Sequence, residues 1–391
     1  MPYLLHNSIR VIVKAGSAEN KCCEIYWRRS VIGTLICWTK DKSPDKRTGT
    51  SSPKVVFPLV VSTTATGRMC SQLVLMLFVG HFYTAVLAQS LPVLKVDKTK
   101  ISTSGISSGA VMAVQYHVAF SSEIMGVGAI AGVPFLCAPS AACMTTPGLL
   151  AAVEFQTLTA SARLFLNIDS TTNMKHDKIW IFAGTHDTVV NPAAGPLLKN
   201  YYSLYVDSPS QIKLVDNIPS AHGQITNNYG GSCGDLHSNN YMNNCGYSAA
   251  FNLLNFIYGN LKEPSATYIA TGELLQFDQS AYTSYLGHMD NIAYVYVPTG
   301  CKDKTKACRL HIAFHGCQMG RERIGDVYVK HSGYNEVGEL NDIIILYPQV
   351  LVSSLNPMGC WDWFGYTGIY YAFHSGPQMR AVHDMMHHIS G

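Results

Sequence analysis

The 391-residue sequence contains little charge and lacks several patterns that mark common classes of protein. Only 14% of its residues are charged, and residues 89–391 hold 17 Lys and Arg against 21 Asp and Glu. No basic stripe interrupts this mildly acidic segment, which argues against a nucleic-acid partner. The sequence has no C-x-x-C pair of the kind that builds cysteine zinc sites. It also has no internal repeat and no low-complexity linker, so we expect residues 89–391 to form a single domain.

Residues 69–88 lack charge altogether and read MCSQLVLMLFVGHFYTAVLA. They follow Arg68 and end at Ala88 in the tripeptide VLA, a cleavage pattern that predicts a secretory signal peptide. A membrane anchor is the alternative, because about 20 apolar residues can span a bilayer. Residues 1–68, which hold 11 Lys and Arg against 4 Asp and Glu, are interpreted as a mis-extended reading frame or a disordered extension.

The twelve cysteines include eight in residues 89–391, an even number. Three pairs of these are close neighbours in the sequence, and two cysteines are left to pair over a longer distance. An even count with short spacings is typical of disulfides formed in an oxidising compartment, which predicts an extracellular protein. Spacing alone leaves the connectivity open. The disulfide candidates are Cys137, Cys143, Cys233, Cys245, Cys301, Cys308, Cys317 and Cys360.

Short apolar runs alternate with amphipathic segments along residues 89–391. This alternation predicts an α/β domain with a mostly parallel sheet flanked by helices. The predicted strands lie at the start of or within 127–135, 178–192, 212–224, 291–300, 308–317 and 342–350. The predicted helices lie at 108–120, 193–206, 246–260, 322–338 and 376–389.

The sequence GISSG at residues 105–109 is a G-x-S-x-G motif between a β-branched run and a predicted helix. In α/β-hydrolases this order forms a sharp turn that exposes the serine and directs the next backbone N–H at the developing oxyanion. The motif predicts Ser107 as a nucleophile and the Ser108 N–H as an oxyanion donor. A plain Ser/Gly turn is the alternative, because Ser102, Ser104 and Ser108 lie in the same stretch.

A serine nucleophile needs a base and an acid, which follow it in the order acid then histidine in this class of fold. Asp187 lies in the loop after an apolar strand, where it would face the site crevice. His222 is the first histidine after the next strand. We therefore predict Asp187 as the acid and His222 as the base, with a loop histidine that merely packs as the alternative.

The segment HIAFHGCQMG at 311–320 is a strand that ends in His-Gly. It resembles the loop that supplies the second oxyanion N–H in α/β-hydrolases, which makes the Cys317 N–H the expected donor. Because the strands that normally precede the elbow follow it here, at 291–298, 308–314 and 342–348, we predict a circularly permuted α/β-hydrolase fold.

Three histidines, His383, His387 and His388, lie near the end of the last predicted helix. Two at i and i+4 could bind a metal, but the glutamate of H-E-x-x-H is absent. We favour polar or cationic histidines at a helix C-terminus, and we expect neither a metal site nor an organic cofactor.

Five segments together resemble the secreted poly(3-hydroxybutyrate) depolymerases: SGISSGA, GTHDTVVNP, SAHGQ, FHGCQ and NPMGCWDWFGY. The resemblance covers about residues 93–391. It implies Ser107, Asp187 and His222 as the triad and the N–H groups of Ser108 and Cys317 as the oxyanion hole. It also implies Trp361 as a wall of the substrate crevice. Trp363 and His315 complete the candidate substrate-binding residues.

The resemblance predicts a secreted serine esterase that hydrolyses poly(3-hydroxybutyrate) or its oligomers. The mature protein would be a monomer without a membrane partner. One alternative is a carboxylesterase for other esters, such as acylated polysaccharides or small esters. Another is a non-catalytic secreted binding protein on the same fold.

Overall fold

The computed structural model describes residues 89–137 and 140–391, together with four strands nearer the N-terminus. These four strands are β1 (Ser8–Val11), β2 (Lys21–Trp27), β3 (Ile32–Thr39) and β4 (Val56–Val60), which form an antiparallel sheet in that order. They lie in the segment predicted to be a mis-extended reading frame or a disordered extension. The predicted signal peptide, residues 69–88, lies outside the described residues and remains a prediction.

Eight strands of the larger unit form one sheet in the order β12-β13-β15-β14-β5-β6-β7-β8. The six strands from β15 to β8 run parallel to one another, whereas β13 pairs antiparallel with β15 and β12 pairs antiparallel with β13 at the edge. A separate small sheet contains β9, β10 and β11. The strands are β5 (Val96–Ile106), β6 (Gly126–Ile130), β7 (Lys178–Phe182), β8 (Ile212–Val215), β9 (Gln224–Thr226), β10 (Gly231–Ser232), β11 (Met242–Asn244), β12 (Glu273–Asp278), β13 (Ile292–Val297), β14 (Cys308–Phe314) and β15 (Ile343–Tyr347).

The helices of the larger unit include all the predicted positions, with one predicted helix divided into three and two further helices added between residues 142 and 164. They are α1 (Ser108–Ala119), α2 (Ala142–Thr145), α3 (Ala152–Leu164), α4 (Ala194–Tyr202), α5 (Ala249–Tyr258), α6 (Arg321–Ile324), α7 (Val327–His331), α8 (Tyr334–Asn341) and α9 (Pro377–Ser390). The single helix predicted at 322–338 is instead α6, α7 and α8. Gly325 and Gly333 separate them with φ of 62° and 88°, values that a helix cannot contain.

The sheet order confirms the permuted α/β-hydrolase fold. β14 and β15 come late in the chain, yet they lie on one side of β5, with β6, β7 and β8 on the other. The start of β5 and the end of α9 are adjacent, because the Leu94 N–H donates to the Ile389 carbonyl at 2.8 Å. Neighbouring ends of this kind are what a permuted domain requires.

Helix α1 is the central helix of the site, and all twelve of its residues are buried. It packs on β5, β6 and β14, which places its N-terminus at the carboxyl edge of the sheet. An all-round buried helix is held on every side by the core, so the residues at its start have little freedom. Among the described residues, none of the helices is long and apolar enough to cross a bilayer.

Four disulfides confirm the predicted use of the eight cysteines. Three of them join cysteines that are near each other in the sequence: Cys137–Cys143, Cys233–Cys245 and Cys301–Cys308, with Cα atoms 5.8, 4.6 and 6.1 Å apart. The fourth joins Cys317 to Cys360 across 43 residues, with the Cα atoms 4.1 Å apart. This long-range bond ties the loop after β14 to the segment after β15.

Candidate active site

Ser107 lies on the sharp turn between β5 and α1. Its φ of 57° and ψ of −123° fall in a region that residues with a side chain rarely occupy. The Ser107 N–H donates to the Ile130 carbonyl at 2.9 Å, and the Val111 N–H donates to the Ser107 carbonyl at 3.0 Å. A strained serine held by both a neighbouring strand and its own helix is the geometry of a nucleophile elbow.

The two glycines of the motif are required by close packing around this turn. A Cβ on Gly105 would lie 2.2 Å from the Gly109 carbonyl oxygen. A Cβ on Gly109 would lie 2.3 Å from the His315 oxygen and 2.4 Å from the Phe314 oxygen. Both contacts are with backbone atoms, so neither position accommodates a side chain without moving the main chain. The close approach also brings the end of β14 against the start of α1.

Asp187 and His222 form a buried pair at the carboxyl edge of the same sheet. His222 Nδ1 donates to Asp187 Oδ2 at 2.7 Å, and the two side chains are 6% and 4% exposed. Asp187 Oδ1 accepts the Val189 and Val190 N–H groups at 2.8 and 2.9 Å. With Nδ1 donating to the carboxylate, Nε2 of the neutral ring carries the lone pair that a general base needs.

The loop that carries His222 is anchored on both sides. The Ala221 N–H donates to the Cys233 carbonyl at 2.8 Å, and Asn243 Nδ2 donates to the Ala221 carbonyl at 2.8 Å. Cys233 is itself fixed by its disulfide to Cys245. These contacts hold the imidazole where the acid can orient it.

The predicted oxyanion donors lie beside Ser107. β14 pairs Phe314 with Gly105 of β5, so the residues after each strand run side by side. A Cβ on Gly316 would lie 3.5 Å from the Ser107 Cβ. Neither the Ser108 nor the Cys317 N–H donates to another described residue, which leaves both free to bind a developing oxyanion.

One cavity of about 310 Å³ contains Ser107, His222 and Cys317 in its wall. Ser107 and His222 thus face the same space, although no hydrogen bond joins Ser107 Oγ to another described residue. The rest of the wall is largely apolar. Its apolar members are Val111, Ala131, Val133, Met144, Val189, Val190, Met319, Met358 and Trp363.

The structure reverses the predicted roles of two tryptophans, of which Trp361 was expected to form the wall of the substrate crevice. Trp363 lines the cavity, whereas Trp361 is fully buried and contributes nothing to the wall. The Trp361 ring packs against Phe314 and His315, with ring centroids 4.9 and 5.7 Å away. Trp361 therefore supports the site from below, and Trp363 is the candidate substrate contact.

His315 is likewise a supporting residue rather than a cavity residue. It is fully buried, its Nδ1 donates to the Gly316 carbonyl at 2.7 Å, and its Nε2 accepts the Val350 N–H at 3.3 Å. Burial lowers the pKa of His315 to about 4, so the ring is neutral at pH 7. A neutral ring with both nitrogens satisfied fixes the position of the glycine that precedes the Cys317 donor.

Two further cavity residues, Tyr241 and Gln318, were not predicted from the sequence. Gln318 Nε2 donates to the Tyr241 hydroxyl at 2.9 Å, and the Gln318 N–H donates to the Met358 carbonyl at 2.7 Å. Gln318 directly follows the predicted donor, and this adjacency is the signal that could have identified it. Tyr241 has no such signal, because only the fold brings residues 241 and 318 together.

Comparison with known proteins shows related chains over most of this sequence. The chain is 35% identical over 326 residues to the poly(3-hydroxybutyrate) depolymerase of Delftia acidovorans, covering 80% of this chain and 63% of that protein. It is 33% identical over 316 residues to the polyhydroxybutyrate depolymerase of Talaromyces funiculosus, covering 76% of this chain and 91% of that one. The chain belongs to the poly(3-hydroxybutyrate) depolymerase family. The family resemblance read from the sequence is therefore confirmed.

Solved structures of poly(3-hydroxybutyrate) depolymerases share the fold. The enzyme from Penicillium funiculosum superposes with a TM-score of 0.71 at 32% identity, covering 77% of this chain and 99% of that one. A PHB depolymerase solved in complex with an R3HB trimer gives a TM-score of 0.73 at 31% identity, with the same two coverages. No protein-family profile matches the chain.

Proposed function

We propose that this chain is a secreted serine esterase that hydrolyses the ester bonds of poly(3-hydroxybutyrate) or of its oligomers. One observation carries the proposal: the buried Asp187–His222 pair opens onto the same cavity as the strained Ser107 elbow. In acyl transfer a serine hydroxyl must lose its proton to become nucleophilic, and a histidine oriented by a carboxylate can accept that proton.

The reaction begins when His222 Nε2 accepts the Ser107 hydroxyl proton while Ser107 Oγ attacks the ester carbonyl carbon. The carbonyl oxygen becomes an oxyanion that accepts hydrogen bonds from the Ser108 and Cys317 N–H groups. Asp187 holds the imidazolium and keeps its proton on Nδ1. Collapse of the intermediate breaks the ester C–O bond, and the leaving alkoxide takes the proton from His222 Nε2.

The second half of the reaction releases the acyl group from Ser107. His222 takes a proton from water as the water oxygen attacks the acyl carbon, and the same N–H groups hold the second oxyanion. Ser107 Oγ then leaves with the proton from His222, which restores the starting protonation. The products are one chain ending in a hydroxyl group and one ending in a carboxyl group.

The composition of the cavity wall favours a substrate with a small aliphatic acyl group. Its apolar side chains suit the methyl and methylene groups of a 3-hydroxybutyrate unit, and the relatives described above are named for this polymer. The four disulfides support an oxidising, extracellular location. We expect a monomer, which sedimentation of the secreted protein would check.

The deciding experiment compares Ser107→Ala with wild type on p-nitrophenyl butyrate and on poly(3-hydroxybutyrate). Ser265→Ala, which changes an exposed serine away from the cavity, is the matched control. We expect loss of both activities in the Ser107 variant alone, together with loss of labelling by a fluorophosphonate. Undiminished turnover of both substrates by Ser107→Ala would overturn the assignment.

A substrate comparison separates the polymer from other esters. Rates on a 3-hydroxybutyrate trimer, a feruloyl sugar ester and an acetyl sugar ester should favour the trimer. A preference for either sugar ester would place the substrate elsewhere while leaving the serine chemistry intact.

A further inference from the structure

Three side chains of the types that bind metal ions converge away from the cavity, near the C-terminal end of α1. His383 and His387 lie one turn apart on α9, and Glu123 lies in the turn that follows α1. Glu123 Oε1 is 2.7 Å from His383 Nε2, and Glu123 Oε2 is 2.8 Å from His387 Nε2. The two Nε2 atoms are 3.1 Å apart.

Hydrogen bonding alone gives this cluster an unfavourable contact. If both Nε2 atoms carry protons to serve the carboxylate, two N–H donors meet at 3.1 Å with no acceptor between them. If either Nε2 is deprotonated, its lone pair faces the carboxylate of Glu123. A cation at the centre removes both problems, because two lone pairs and one carboxylate then face a positive charge.

The spacing of the three atoms is close to that of a metal site. A tetrahedral zinc ion with ligands at about 2.0–2.2 Å separates its ligand atoms by roughly 3.3 Å. The observed separations of 2.7 to 3.1 Å need only a small outward movement of each side chain. Two imidazoles and one carboxylate are a ligand set that Zn²⁺ accepts, with water in the fourth position.

One of the two rings is already held in place. The His383 ring stacks on Phe120, with centroids 4.2 Å apart and an interplanar angle of 15°. Phe120 follows α1 directly, so this stacking fixes His383 relative to the segment that carries Glu123. A preorganised ligand loses less freedom when a metal binds.

We propose that Glu123, His383 and His387 bind one Zn²⁺ ion that fastens α9 to the end of α1. The site stands apart from the ester chemistry: α1 has twelve residues, so its two ends are about 18 Å apart. The H-E-x-x-H pattern was incomplete in the sequence, and in this cluster the carboxylate is that of Glu123, 260 positions before His383. The metal would therefore act on the stability of the fold rather than on the reaction.

Zinc titration of the purified full-length chain by calorimetry tests the proposal. Wild type is compared with His387→Ala and Glu123→Gln, and with His176→Ala as a control that removes a more exposed histidine outside the cluster. We expect wild type and control to bind one more zinc ion per chain than either cluster variant, or to bind it at least tenfold more tightly. Zinc should also raise the thermal midpoint of wild type and control, and should raise it less in the variants.

A crystal structure grown with zinc gives a readout that needs no variant. The anomalous signal at the zinc edge should place the ion about 2.0–2.2 Å from His383 Nε2, His387 Nε2 and a Glu123 oxygen. Equal zinc binding by wild type and both cluster variants would overturn the proposal. So would a crystal in which zinc leaves this cluster empty. Neither result depends on whether the chain hydrolyses esters.

Discussion

Removal of the Cys317–Cys360 disulfide tests whether the oxyanion donor is held in place by the fold. Cys317 supplies one of the two expected N–H donors, and Cys360 belongs to a segment that is itself anchored. The Cys360 N–H donates to Asn356 Oδ1 at 2.9 Å, and the next N–H, of Trp361, donates to Ser108 Oγ at 3.3 Å. The disulfide thus connects the donor loop to residues that contact the elbow. The double variant Cys317→Ala/Cys360→Ala keeps the backbone N–H and removes this connection, together with two sulfur atoms of the cavity wall.

The expected magnitudes follow from the length of chain that each disulfide closes. For Cys317–Cys360 the separation of 43 residues gives about 4 kcal/mol of stability from loop-closure entropy. For Cys301–Cys308 the separation of 7 gives about 2.4 kcal/mol. The second disulfide does not line the cavity, so Cys301→Ala/Cys308→Ala is the matched control. Loss of one oxyanion donor costs about 10²–10³ in kcat, and a loosened donor should lose part of that, at least tenfold.

Urea unfolding and steady-state hydrolysis of p-nitrophenyl butyrate measure the two effects separately. We expect both double variants to be less stable, the 317/360 variant more so, and only this variant to lose kcat. KM should change less, because the donor acts on the oxyanion rather than on the bound ester. A 317/360 variant that is destabilised but retains full kcat at a temperature where it is folded would refute the argument from preorganisation.

Three other predictions concern the acid, the tryptophans and the buried histidines. Asp187→Asn should lower kcat about 10⁴-fold with little change in the fold, because an amide favours the wrong tautomer of the base; near-normal turnover would remove Asp187 from the triad. Trp363→Ala should raise KM for the trimer, whereas Trp361→Ala should cost about 3–5 kcal/mol in unfolding free energy; the opposite pattern would restore Trp361 as the cavity wall. Burial lowers the pKa of His311 to about 3 and that of His315 to about 4, from 6.5. Because the unfolded chain binds these protons first, stability is complete above pH 6.5 and falls as the pH drops towards 4, by about 1.4 kcal/mol per pH unit for each ring. Urea unfolding at several pH values should show His311→Asn losing about half of that slope, and an unchanged slope would contradict it.

Local patterns in the sequence were sufficient for the parts of the site that depend on neighbouring residues. The G-x-S-x-G motif requires its glycines because the turn packs backbone against backbone, so the pattern is visible in five residues. Asp187 and His222 each follow an apolar strand, and the ends of parallel strands meet at one edge. The broken helix at 321–341 was missed because Gly325 and Gly333 lie within an otherwise helical pattern. Strand β12, at the antiparallel edge, was also missed, because its apolar pattern is weaker than that of the central strands.

Features that depend on long-range packing could not be predicted in the same way. Trp361 and Trp363 are two residues apart in one aromatic cluster, and nothing in that cluster says which ring faces the cavity. The choice depends on Phe314 and His315, which cover one side of Trp361. The proximity of Glu123 to two histidines likewise could not be predicted, because it exists only when α9 packs beside the end of α1.

The permuted chain order is compatible with the proposed chemistry, because the predicted oxyanion hole depends on which strands are adjacent and not on their order in the sequence. β5 and β14 are parallel neighbours, and Phe314 pairs with Gly105. Two residues beyond that pair, Ser107 lies close to Gly316, and the two predicted donors, Ser108 and Cys317, are the next residue of each segment. A shift of this register by one residue would move the Cys317 N–H by about 3.3 Å, more than a hydrogen bond to an oxyanion tolerates. The close backbone contacts of Gly109 and the Cys317–Cys360 disulfide both restrict such a shift. They therefore keep two segments that are more than 200 residues apart in the sequence aligned with each other.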